Sequence, residues 1–139
     1  MNSREKGKRG ERAWRDELRA NGFDARRGVQ FAGGPDSPDV VCPALPGLHQ
    51  EVKCVEKLNL EAACEQAARD GNGKPWIVAH RRRFKGWRVT MPSDLFFSLL
   101  RGDSPAEISR REPTPKPNTH GLALTGDGGK TPNHTPTTP

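Results

Sequence analysis

The sequence predicts an α/β fold in which helices flank a mixed central sheet, on three observations. Apolar residues recur at helical spacing in three stretches, one near each end of the region up to Arg101 and one in its middle. Short runs rich in Val, Ile and Trp lie between them and read as strands. Gly, Pro and Asn punctuate almost every boundary. The order is helix, three strands, helix, two strands, helix, which suits a layered α/β sandwich.

The first helix is predicted over Asn2–Asn21, with Ser3 as its cap and Gly22 as its stop. Glu11, Trp14 and Leu18 share one stripe of it. Gly7 and Gly10 are poor helix formers, so this end either frays or approaches another element closely. Phe23–Phe31 reads as extended with a break at Gly28, and Ala32–Ser37 as a loop. Asp39–Cys42 is a short strand, Pro43–Gly47 a turn, and His49–Val55 the next strand. Asn59 caps a helix to about Asp70, with Leu60, Ala63, Cys64 and Ala67 as its apolar face. Pro75–His80 and Gly86–Met91 are two further strands. Ser93 caps a last helix, whose Leu95, Phe96, Leu99 and Leu100 form an apolar face.

Beyond Arg101 the composition shifts to Pro, Thr, Gly and Asn. Such a segment buries too little apolar surface to offset the entropy of ordering it. The expected organisation is one domain over residues 1–101 and a disordered tail over 102–139. The net charge of +6 falls on the domain, which holds 19 Lys and Arg against 13 Asp and Glu, and the tail is neutral. A compact basic domain points to a polyanionic partner, nucleic acid first. Cys42, Cys54 and Cys64 match no zinc spacing, and Cys42 and Cys54, in apolar strand-like runs, read as buried reduced thiols. The polar N-terminus is unlike a signal peptide, and no apolar run is long enough to span a membrane. A cytoplasmic protein is expected, in the host cell if the chain is phage-encoded.

The candidate chemistry lies in the strands around Pro43–Gly47. If they pair as a hairpin with Pro43 opposite Gly47, Asp39 lies opposite Glu51. Glu51 and Lys53 then share one face, and Val40, Val52 and Cys54 take the other. Two converging carboxylates repel unless a cation sits between them, and oxygen ligands suit Mg²⁺, with Mn²⁺ as a substitute. Such an ion activates water and orients a phosphate, while Lys53 balances developing charge. Glu11, on the inward stripe of the first helix, is a third acid and costly there unless paired or metal-bound. The alternative for Glu11 is a surface ion pair with Lys8, Arg12 or Arg15.

KGKRGE (Lys6–Glu11), SPD (Ser37–Asp39) and EVK (Glu51–Lys53), in this order, resemble the PD-(D/E)xK nuclease superfamily. Within it the chain is most similar to the archaeal-type Holliday-junction resolvases and their phage and bacterial relatives, over Lys6–Met91. The resemblance implies a restriction-endonuclease-like core and a metal-dependent DNA endonuclease. Asp39, Glu51 and Glu11 then correspond to metal-binding acids, Lys53 to the catalytic lysine, and Gln66 to a polar helix residue near the site. The loop Phe31-Ala32-Gly33-Gly34 lacks the serine that resolvases often carry.

Lys8, Arg9, Arg12, Arg26, Arg27, Arg81, Arg82, Arg83 and Lys85 are candidate phosphate contacts. Trp76 and Trp87 read as core, and no histidine receives a role. A nuclease selective for branched DNA must cut two strands symmetrically, so a homodimer is expected. The apolar last helix offers an interface as well as ordinary core. The alternatives are a nicking, repair or restriction-like nuclease, and a non-catalytic DNA-binding module on the same fold.

Overall fold

In a computed structural model of the chain, the structure describes residues 2–28 and 38–110. The expected loop at Ala32–Ser37 and the chain beyond Arg110 lie outside these residues.

Helix α1 spans Ser3–Ala20. Its cap is Asn2 rather than Ser3: the Asn2 side chain accepts the Glu5 N–H at 2.9 Å. Trp14 and Leu18 are buried as the stripe predicts, and so is Gly10. Gly10 settles the choice between fraying and close approach. A Cβ built there would lie 3.0 Å from Cys54 Sγ, so the missing side chain lets α1 sit directly on the next sheet.

Strands β1 (Arg26–Arg27) and β2 (Val40–Val41) form an antiparallel pair, with Arg26 opposite Val41 and Arg27 opposite Val40. Gly28 extends the pair by donating its N–H to Asp39 O at 2.9 Å. Strands β3 (His49–Cys54), β4 (Trp76–Arg81) and β5 (Arg88–Thr90) form a second, mixed sheet in that order. β3 and β4 are parallel, joined by helix α2 (Leu60–Gly71), while β4 and β5 are antiparallel. A parallel pair needs such a crossover, and the strand–helix–strand pattern supplies it. Asn59 caps α2 as expected, accepting the Ala62 N–H at 3.0 Å. Asn72 ends it in the left-handed conformation.

The hairpin assumed between the Asp39 and Glu51 strands is not a full ladder. β2 pairs with β1 and packs against β3, and the backbone bond to β3 comes from Asp39, whose N–H donates to Gln50 O at 3.1 Å. The connection explains this. Pro43 and Pro46 lack N–H donors, and the connection is two successive turns, closed by Leu45 N–H to Cys42 O and Leu48 N–H to Leu45 O, rather than a tight hairpin.

β4 lies between two apolar layers. Ile77 and Ala79 join Trp14, Leu18, Val40, Cys42 and Leu95 on one side. Val78 meets Ala63 and Ala67 of α2 on the other. Trp87 packs on the first cluster and Trp76 on the second, as core readings of both require. The three cysteines are free thiols; Cys42 is buried as expected, but Cys54 is only half-buried.

Helix α3 spans Ser93–Leu100, with Pro92 rather than Ser93 at its cap and no side-chain capping bond. Part of the stretch expected to be disordered, 102–139, is helical where the structure describes it. Pro105–Arg110 form helix α4. Ser104 Oγ accepts the Glu107 N–H at 3.2 Å, and Glu107 Oε2 accepts the Ser104 N–H at 2.7 Å. This is a capping box with proline at the first helical position. Pro105 is buried and Ile108 packs on the core. Composition alone hid the signal, because Ser-Pro-Ala-Glu is polar yet helix-starting.

Gly28 packs directly on the Pro38–Asp39 backbone that leads into β2. A Cβ at Gly28 would overlap the carbonyl oxygen of Pro38, which is backbone and cannot swing aside. Gly28→Ala is therefore expected to destabilise the fold by about 2–3 kcal/mol, the cost of overpacking a rigid contact. Chemical denaturation checks this; a midpoint equal to that of the parent protein contradicts it.

Candidate functional site

The site is built on β3, where alternate side chains face opposite layers. Gln50, Val52 and Cys54 face α1. Trp14 Nε1–H donates to Gln50 Oε1 at 2.8 Å, and Val52 and Cys54 lie against the position of Gly10. His49, Glu51 and Lys53 face the α2 side, where His49 meets Gly71 and Lys53 meets Gln66. The alternation expected for Glu51 and Lys53 against Val52 and Cys54 is thus present.

Asp39 joins Glu51 from β2's start. Its Oδ2 accepts the Val52 N–H at 2.9 Å, which fixes the carboxylate against β3. Burial, reinforced by the nearby charges of Glu51 and Glu11 and a hydrogen bond with Glu51, pushes Asp39 up to about 7, against a lowering contribution from the Val52 N–H. Two acids held this close in a shielded place favour either a shared proton or a cation. That is the fit such a site offers a divalent ion with oxygen ligands.

Glu51 itself is 2% exposed. His49 Nε2 lies 2.8 Å from Glu51 Oε1, and His49 is equally enclosed. Lys53 Nζ donates to Gln66 Oε1 at 2.9 Å, and Gln66 Nε2 approaches Asp70 Oδ2 at 3.5 Å. Gln66 and Asp70 are one turn apart on α2, so that helix supports both ends of the β3 constellation. Among the described residues, the one set of three ligand atoms mutually within 4.8 Å is that of His49, Glu51 and Asp70. Sequence reasoning gave His49 and Asp70 no role. His49 carried a faint signal: at two residues from Glu51 it must share Glu51's face.

Glu11 lies close enough to raise Asp39, but its carboxylate is held by Arg27 Nε at 2.9 Å. Lys8 and Arg15, partners under the alternative reading of Glu11, pair instead with Glu5 and Asp16. Arg27, a candidate phosphate contact, is thereby tied to the site's acids. Arg26, Arg9 and Arg12 are exposed. Arg81 stacks over Trp87 at 4.6 Å, which leaves it half-buried. Arg82, Arg83 and Lys85 are exposed on the β4–β5 turn.

The Asp39 environment has a consequence for pH. The unfolded carboxyl titrates at 3.8 and the folded one near 7, so the folded state holds this proton more tightly. The stabilisation is fully present below about 4 and is lost as pH rises through 7. In chelator, the melting temperature is expected to fall between pH 5 and 7 relative to that of Asp39→Asn, which has no such proton to lose. Parallel curves for the two proteins contradict the environment described.

No family model and no curated protein matches the chain. Among solved structures it is similar to Hjc, a Holliday junction resolvase from the archaeal hyperthermophile Archaeoglobus fulgidus. The identity is 32%, over 62% of this chain and 72% of that one, with a TM-score of 0.46. No helix among the described residues is long and apolar enough to cross a membrane.

Proposed function

Taking as premise that this chain belongs to the resolvase-like nuclease family, we propose that it is a divalent-metal-dependent endonuclease that cuts branched DNA such as four-way junctions. The observation that carries the reading is the meeting of Asp39 with Glu51, with Lys53 two residues along the same face. Asp39 and Glu51 would hold Mg²⁺, or Mn²⁺ in its place. A bound ion of this kind supplies an activated water and a Lewis acid for the phosphate.

The chain's own residues do the rest. Lys53 brings a positive charge to the negative phosphorane-like transition state, and Gln66 keeps its ammonium on the α2 side of β3. His49 fixes the rotamer of Glu51. Glu11 adds negative charge beside Asp39, moderated by Arg27. Arg9, Arg12, Arg26, Arg82, Arg83, Lys8 and Lys85 offer phosphate contacts that fix register without reading bases. Arg81 and Arg27 act from more enclosed positions. Cutting both strands at a branch calls for a homodimer. The exposed Phe96, Phe97, Leu99 and Leu100 of α3 are its proposed interface.

The test is cleavage of labelled four-way junctions, linear duplex and single strands, with and without Mg²⁺. Paired symmetric cuts confined to the junction and to Mg²⁺ are expected. Cutting of plain duplex at equal rate assigns a different nuclease specificity. Binding without any cutting, unchanged by Lys53→Ala, overturns the enzymatic reading.

A further inference from the structure

Phe84 is the most exposed large apolar residue of the described chain, at 91%. It sits at the tip of the β4–β5 turn, where the Lys85 N–H donates to Arg82 O at 3.0 Å. Its φ is +61°, a left-handed backbone that glycine or asparagine adopts far more readily than phenylalanine. Neither burial nor backbone preference accounts for an aromatic ring at this position. The folded chain holds it out into solvent against both.

The surroundings say what would meet it. Arg83 stacks on the ring at 4.9 Å, and Arg82 and Lys85 flank it on the same turn. The turn is anchored: Glu56, just beyond β3, accepts the Arg83 N–H at 3.0 Å and pairs with Arg82 at 3.8 Å. A groove of about 610 Å³ runs from Phe84 and Arg81–Arg83 to Lys6 and Arg9 of α1. That groove meets α1 at Gly10 and β3 at Cys54, on the face of the strand opposite Lys53. An aromatic ring set in a cationic groove matches a nucleic-acid strand, whose phosphates take the cations and whose base takes the ring.

We propose that Phe84 stacks on an unpaired or unstacked base at the branch of a DNA substrate, and so contributes to selection of branched over linear DNA. The proposal rests on the nuclease reading above. Within a regular duplex both faces of a base are covered, and opening them has a cost. At a branch point an open base face is already available. A ring on a fixed turn then favours the branched form without reading sequence. Arg83 lies along the ring and follows it toward the adjoining phosphate.

The experiment uses the full chain and two DNAs of matched sequence, a four-way junction and a linear duplex. Each carries 2-aminopurine in place of one base, at the branch in the junction. Affinities are measured in Ca²⁺ or chelator at fixed salt for the parent, Phe84→Ala, Phe84→Leu and Phe84→Trp. One base–aromatic stack is worth about 1–3 kcal/mol, or about 5- to 150-fold in affinity. Phe84→Ala and Phe84→Leu are expected to lose that much on the junction and little on the duplex. Phe84→Trp should retain it, and the parent alone with Phe84→Trp should alter the 2-aminopurine emission. Unchanged junction affinity in Phe84→Ala, equal loss on both DNAs, or full retention by Phe84→Leu overturns the stacking role. Failure of the parent protein to bind either DNA instead overturns the nuclease reading on which the role depends.

Discussion

Asp39→Asn is expected to abolish DNA cleavage while leaving DNA binding intact or tighter. Asn keeps the size of Asp and can still accept the Val52 N–H, so the strand geometry at β3 survives. What it loses is one negative oxygen of the proposed metal pair. A metal's charge stabilisation is worth several kcal/mol, and each 1.4 kcal/mol is about tenfold in rate, so a loss of at least about 1,000-fold is expected. Binding moves the other way, because one repulsive charge near the phosphates is gone. Single-turnover cleavage and equilibrium binding on the same junction measure both quantities. Equal loss of binding and cutting contradicts the assignment and makes Asp39 a structural residue.

Lys53→Ala is the second large effect. Its ammonium is proposed to meet charge that develops only in the transition state, so substrate affinity should change little. Removal of one such stabilising donor costs about 100- to 1,000-fold in rate. Gln66→Ala tests the same point more gently, since it leaves the amine in place and removes its 2.9 Å tether. A Lys53→Ala protein that cuts at the parent rate would remove Lys53 from the chemistry and leave it a strand residue paired with α2.

The sequence made the helices and the face pattern of β3 legible because both follow from local spacing. Trp14 and Leu18 on one stripe of α1, and Ala63 and Ala67 on one face of α2, needed only the helical period. Glu51 and Lys53 on one side of β3, against Val52 and Cys54, needed only the period of a strand. The pairing of strands was not legible in the same way. Asp39 does come to Glu51, but by a single backbone bond and a side-chain bond to Val52, not by the ladder that a simple hairpin provides. Partner choice depends on how the two turns between Cys42 and Leu48 set β2 against β3, which is a property of three dimensions.

Non-local polar contacts were also hidden. The Arg27–Glu11 pair joins residues 16 apart, and no helical spacing points to it. The link from Lys53 to Gln66 and toward Asp70 depends on α2 crossing the sheet at one particular height. α4 was missed for a different reason. Its capping box is a local signal, but the surrounding Pro- and Thr-rich composition outweighed it.

The most direct test of the central claim is anomalous diffraction from crystals of this protein grown with Mn²⁺, which shares the oxygen preference of Mg²⁺. A peak bridged by the carboxylates of Asp39 and Glu51 is the expected result. A peak confined to His49, Glu51 and Asp70 with Asp39 uninvolved, or no peak in this region at saturating Mn²⁺, would contradict it.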